Sequence, residues 1–210
     1  MRIKICGIRT PEVFDAAVAA GADYLGLVFF PPSPRAVTPA EAAALSARHQ
    51  GGPLRVGLFV RPDDAAIEAA LAAVPLGALQ LHNVAPDRTQ EIRAKFGLPV
   101  WSAVGVAGVG DLPRRVIGAD KLLLDAKAPT GASRPGGNAT SFDWAVLAGW
   151  RAPAPWMLAG GLTPDNVGAA IRITGASEVD VSSGVETAPG VKHPASIRAF
   201  IANARRAIPI

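Results

Sequence analysis

Short runs of β-branched and other apolar residues alternate along the chain with Ala-rich stretches whose apolar positions recur three and four residues apart. The apolar runs fall at 2–8, 23–30, 54–60, 78–82, 99–106, 121–127, 156–160 and 178–183. Several are apolar almost throughout, as strands covered on both faces are. Between them, Thr10-Pro11 and Thr38-Pro39 each set a capping hydroxyl before a proline at the first helical position, and Thr163-Pro164 repeats the signal. Residues 63–74 carry Ile67, Leu71 and Val74 on one helical face, and residues 196–208 carry Ile197, Phe200, Ile201, Ala204 and Ile208. The fifth helical stretch, 111–118, is the weakest, because Pro113 limits it to little more than a first turn. Eight strands alternating with eight helical stretches predict an α/β fold, a (β/α)₈ TIM barrel forming one domain over residues 1–210. The alternative is a doubly wound sheet. That fold usually stops at about six strands and often carries a GxGxxG turn after the first, which Cys6-Gly7-Ile8-Arg9 does not resemble.

Composition narrows the function classes. Half of the 210 residues are hydrophobic, enough for a sizeable core. The opening MRIKICGIRT lacks the apolar stretch of a signal peptide, and no run reaches the length of a membrane span, so a cytoplasmic protein without membrane contact is expected. One cysteine excludes an internal disulfide and a cysteine-cluster metal site, and His49, His82 and His193 lie too far apart for a helical metal-binding pair. No metal and no cofactor are expected. The formal charge of +4 suits nucleic acid or an anionic small molecule. The basic residues are scattered apart from Arg114-Arg115 and Arg205-Arg206, with no aromatics interleaved, so nucleic acid is not expected as a partner.

In a barrel of this kind chemistry belongs to the loops after the strand C-termini. Cys6 ends the first run and is either a base or nucleophile, if nearby positive charge ionises it, or a small buried hydrophobe. Asp125 follows Leu122-Leu123-Leu124, where an unpaired carboxylate is costly to bury; it is solvated, perturbed for a purpose, or a loop cap. Ala159-Gly160-Gly161-Leu162 after the seventh run and Asp180 to Glu186 after the eighth, with Ser183 and Gly184, let backbone N–H groups approach an anion, and together they predict a phosphorylated ligand. Arg35 stands on the stiff loop Phe30-Pro31-Pro32-Ser33-Pro34-Arg35, either offering a fork to a carboxylate or lying on the surface. His82 points to the rim or closes its strand.

The motifs KICGI, GLVFFPPSPRAV, RVGLFV, QLH, LLLDAK, GGNATSFDW, LAGGLTPDNV and VDVSSGVE, in this order and spacing, resemble the phosphoribosylanthranilate isomerase family over the whole chain. The resemblance implies that Cys6 is the catalytic base and Asp125 the general acid. It further implies that Arg35 receives the anthranilate carboxylate, that Gly160, Gly161, Ser183 and Gly184 hold the phosphate, and that His82 and Asp180 also bind substrate. Two departures stand out: Asn83 and Ala139 replace glycines usual in the family, the second in the long loop 128–141. Asn tolerates positive φ better than most residues, so the first change is mild.

The implied reaction is an Amadori rearrangement, the third step from chorismate to tryptophan. It needs a proton delivered to the furanose ring oxygen and another removed from the adjoining sugar carbon, so one acid and one base suffice. The protein would act as a monomer or homodimer on a small phosphorylated substrate. A sugar-phosphate isomerase of the histidine-pathway type would share the phosphate loops but normally has a carboxylate in place of Cys6. A silent phosphate-binding barrel would be expected to lose acid or base first, and both are present.

Overall fold

The computed structural model describes residues 1–131, 135–137 and 141–207; the expectations for Ala139 and Ile208 lie outside them. Eight parallel strands close into a barrel: β1 (Arg2–Cys6), β2 (Tyr24–Val28), β3 (Leu54–Val60), β4 (Ala78–His82), β5 (Val100–Val106), β6 (Lys121–Ala126), β7 (Trp156–Leu158) and β8 (Glu178–Val181). Each pairs with the next, and β8 returns to β1 in a register that sets Asp180 opposite Lys4. A short hairpin, β9 (Glu186–Ala188) and β10 (Val191–Lys192), follows β8.

Among the described residues six α-helices cover the barrel, not the eight predicted: α1 (Pro11–Ala19), α2 (Pro39–Ser46), α3 (Asp64–Ala73), α4 (Pro86–Phe96), α5 (Val167–Thr174) and α6 (Pro194–Arg206). After β5 the described chain makes only the 3₁₀ turn Val109–Asp111, and after β6 only Trp144–Leu147. Nothing helical spans 111–118. Pro113 removes an N–H donor there, and the Asp111 carboxylate closes the turn by accepting from the amides of Ala107 and Gly108 at 2.9 and 3.1 Å. Thr10 and Thr38 do cap their helices, Thr38 in a reciprocal box with Glu41. Thr163 does not. Its hydroxyl and amide bond Asn166, which stands before α5, so Thr163-Pro164 opens a turn ahead of the helix.

Because side chains alternate across a strand, Ile3 and Ile5 face the helices while Lys4 and Cys6 face inward. Outside, Leu25, Leu27, Leu79, Leu81, Leu122 and Leu124 pack against Phe14, Ile67, Ile197 and Phe200 of the helices, all buried. Burying each such side chain contributes about 1.5–3 kcal/mol. Inside, Tyr24, Val56, Ala78, Trp101, Leu123, Met157 and Ala159 fill the lower barrel. The Lys121 ammonium lies over the Tyr24 and Trp101 rings and pairs with Glu178, closing the lower end. Above this plug the interior turns polar, beginning with the fully buried Lys4, whose Nζ lies 3.0 Å from Asp180 Oδ1.

Candidate active site

Cys6 is the last residue of β1, one strand from Gly26 of β2. A Cβ at Gly26 would lie 2.7 Å from Cys6 Sγ, so the glycine makes room for the thiol. Asp125 stands near the end of β6, and its Oδ1 accepts from the Ala126 amide at 2.8 Å. The two line one cavity at the strand C-termini together with Arg35, Gln80, His82 and Ser182. Adjoining it, a small recess is lined by Gly161, Leu162, Ser182, Ser183 and Gly184, and shares Asp125 and Asp180 with the cavity. Cys6, Asp125, Arg35, His82 and the two glycine-bearing loops therefore converge, although they come from six different connections.

Cys6 and Asp125 stand in different electrostatic surroundings. Burial, reinforced by the negative charge of Asp180, pushes the Asp125 carboxyl up to about 7, against the Ala126 amide, Lys4 and Arg35. Near neutral pH this carboxyl therefore keeps a proton to give. Burial also pushes the Cys6 thiol up, with Lys4 opposing, Asp180 adding and Lys192 opposing. In the free protein the thiol is thus raised overall, and the two lysines limit the rise. Burial, then Lys4, lowers His82 to about 4, leaving a neutral ring. As assigned, the Gln80 amide nitrogen donates to His82 Nε2 at 2.9 Å, which puts the imidazole proton on Nδ1.

Arg35 is buried rather than on the surface, but its fork is not free. Nε and Nη2 donate to Glu186 Oε1 and Oε2 at 2.7 and 2.8 Å, and Nη2 also to the Gly137 carbonyl at 3.2 Å. Glu186 in turn accepts from Lys192 Nζ at 2.9 Å, and Lys192 donates to the Ser182 carbonyl at 3.0 Å. Burial would raise the Glu186 carboxyl, yet Arg35 and Lys192 beside it hold it below its ordinary value. Glu186 thereby fixes the guanidinium plane of Arg35. Glu186 and Lys192 are absent from the residues predicted for the site. Glu186 does end the VDVSSGVE motif, but its partner Arg35 is 151 residues away, a pairing only the closed barrel reveals.

Gly160 and Gly161 follow β7 with φ of +83° and +66°, a region that favours glycine. Asn166 Nδ2 donates to the Gly161 carbonyl at 2.9 Å and holds that loop, a role unforeseen from the sequence. A side chain at Gly184 would run into the Leu162 carbonyl, so the loops after β7 and β8 approach each other closely, and one at Gly161 would run into the backbone of Ser141, ahead of β7. Among the described residues no Lys or Arg lines this recess. Asp180, predicted to bind substrate, lines both spaces while its Oδ1 is engaged by Lys4. Asn83 adopts φ +56°, the left-handed conformation for which glycine is otherwise chosen.

Known proteins resemble this chain along nearly its whole length. The family described as N-(5'phosphoribosyl)anthranilate (PRA) isomerase matches residues 3–203. A relative named N-(5'-phosphoribosyl)anthranilate isomerase, from Acidiphilium cryptum, is 57% identical over 206 residues, covering 98% of this chain and 99% of its own. Among solved structures, monomers generated from the dimeric phosphoribosylanthranilate isomerase of Thermotoga maritima superpose with a TM-score of 0.83 at 37% identity, covering 98% of this chain and 99% of theirs. A phosphoribosylanthranilate isomerase in complex with reduced 1-(o-carboxyphenylamino)-1-deoxyribulose 5-phosphate gives 0.83 at 35% identity with the same coverage. With the barrel closed and the family matched along nearly its whole length, this chain belongs to the N-(5'-phosphoribosyl)anthranilate isomerase family.

Proposed function

We propose that this chain converts N-(5'-phosphoribosyl)anthranilate into 1-(2-carboxyphenylamino)-1-deoxyribulose 5-phosphate, with Asp125 as general acid and Cys6 as general base. The observation that carries the assignment of roles is the carboxyl of Asp125, held near 7 in the cavity that Cys6 also lines. Asp125 gives its proton to the furanose ring oxygen, the C–O bond breaks, and the anthranilate nitrogen donates its lone pair to form a protonated Schiff base. The Cys6 thiolate then takes the proton from the adjoining sugar carbon, and the electron pair of that C–H bond neutralises the iminium to give an enolamine. Tautomerisation yields the aminoketose. One proton leaves Asp125 and one arrives on Cys6, so exchange with solvent resets the pair and no redox partner is consumed.

The recess lined by Gly161, Ser183 and Gly184, with Gly160 beside it in the same loop, takes the phosphate through backbone N–H groups, since no cationic side chain of the described residues lines it. Arg35, braced by Glu186, receives the anthranilate carboxylate, and His82 lines the same cavity as a neutral polar group. Residues 1–210 act as one catalytic domain, as a monomer or homodimer in the cytoplasm. No helix of the described residues is long and apolar enough to cross a membrane.

Adding synthesised phosphoribosylanthranilate to the purified protein and following the loss of its fluorescence tests the reading. Catalytic turnover supports it, and a folded protein that leaves the fluorescence unchanged overturns it. Arg35→Met is expected to raise KM by about tenfold while kcat falls less, because a carboxylate remote from the proton transfers contributes mostly uniform binding. Steady-state kinetics with an unchanged KM would remove Arg35 from the site.

A further inference from the structure

Gln80 and His82 are two residues apart on β4, so both side chains face the barrel interior. Gln80 is only 1% exposed and lines the cavity shared by Cys6 and Asp125. As assigned, it is the nitrogen end of its amide that faces His82 and the oxygen end that faces away from it. Its amide nitrogen is engaged by His82, while its Oε1 has no hydrogen-bond partner among the described residues. Two other buried side-chain atoms share this condition, Arg55 Nε and Trp144 Nε1, and neither residue lines this cavity. A buried amide oxygen left unpaired costs stability in the free protein, so its retention at the reaction cavity calls for a partner that arrives with the ligand.

We propose that Gln80 is a substrate-binding residue whose amide oxygen accepts a hydrogen bond from an O–H or N–H donor of the aminosugar, an inference that rests on the isomerase reading above. An amide oxygen repels phosphate and carboxylate oxygens and accepts only from donors. The anionic ends of the substrate are therefore turned towards the glycine recess and Arg35. The sugar hydroxyls and the secondary amine, which flank the carbon that loses its proton, are left for Gln80. Gln80 thus centres the reacting portion between Cys6 and Asp125.

The test compares wild type with Gln80→Met, which keeps the length of the side chain and removes its polar atoms. Reduced 1-(o-carboxyphenylamino)-1-deoxyribulose 5-phosphate and inorganic phosphate serve as the two probes, with Kd measured by calorimetry. Gln80→Met should weaken the reduced analogue about tenfold, the scale of one lost hydrogen bond to a buried site, and leave phosphate binding within about twofold. The Tm of the free variant should stay within about 2 °C of wild type, because the stranded oxygen and the bond to His82 disappear together. The two residues touch, so their losses are not additive; the double variant with His82→Ala should nonetheless bind the analogue more weakly than His82→Ala alone. A double variant no weaker than His82→Ala alone would mean that Gln80 only places the imidazole, and would overturn the direct contact. Undiminished analogue binding by Gln80→Met overturns it too, as does failure of both Gln80→Met and Gln80→Leu to fold. If wild type itself does not bind the analogue, the isomerase reading falls first.

Discussion

Asp125→Asn is expected to lower kcat by about 10²-fold or more, because the amide keeps the shape and one acceptor but cannot deliver a carboxyl proton to the ring oxygen. The same substitution should make the protein more stable. Asp125 is held near 7 in the folded protein, above its ordinary value, so between about pH 4 and pH 7 the unfolded chain binds fewer protons and stability falls as pH rises. An amide does not carry that penalty. Thermal unfolding at pH 8 should therefore give a higher Tm for Asp125→Asn than for wild type, with the gap closing below about pH 4, where both carboxyl states are neutral. Near-normal turnover in a folded Asp125→Asn would leave the residue only as an acceptor for the Ala126 amide.

Cys6→Ala should fold and lose turnover, by about 10²- to 10⁴-fold if proton removal becomes limiting. Folding survives because little volume is removed beside Gly26 and because Lys4, the nearby buried cation, keeps its ion pair with Asp180. Cys6→Asp restores a base on a shorter reach and should recover part of the rate over Cys6→Ala. A merely structural thiol gives the reverse order, with alanine harmless and a buried carboxylate beside Asp180 damaging. Turnover of Cys6→Ala within a few-fold of wild type would end its role as the base.

Cys6 and Asp125 were legible in the sequence because each ends an apolar run, and strand ends are where a barrel exposes its polar residues. The glycine pairs were legible for the same reason, since two of them stand after consecutive strands. Partnerships across the barrel were not. Lys4 and Asp180 are 176 residues apart and meet only because β8 closes onto β1, and the bracing of Arg35 by Glu186 depends on the hairpin that follows β8. Gln80 sits in plain view within QLH, yet a stranded amide oxygen is a property of surroundings and has no signature in residue order. The helix count failed where Pro113 and the glycines after β5 and β6 break the period, leaving 3₁₀ turns in place of helices. Thr163-Pro164 misled because the Thr-Pro pair suits a turn as well as a helix start.

The acid and base assignment is tested most directly by the pH dependence of kcat/KM in wild type and in Asp125→Asn, measured side by side. Asp125 titrates near 7 and the Cys6 thiol is pushed above its ordinary value, so the productive form, with the carboxyl protonated and the thiol ionised, is a minor one with the same proton count as the dominant form between the two. Its population rises as the first proton leaves the coupled pair and falls as the second does. Wild type should therefore give a bell whose rising limb lies near 7 and whose falling limb lies on the alkaline side. In Asp125→Asn only the thiol remains to titrate: the rising limb should move to higher pH and the falling limb should disappear. A rising limb unmoved by the substitution, or a falling limb that persists, would contradict the assignment of Asp125 as acid and Cys6 as base.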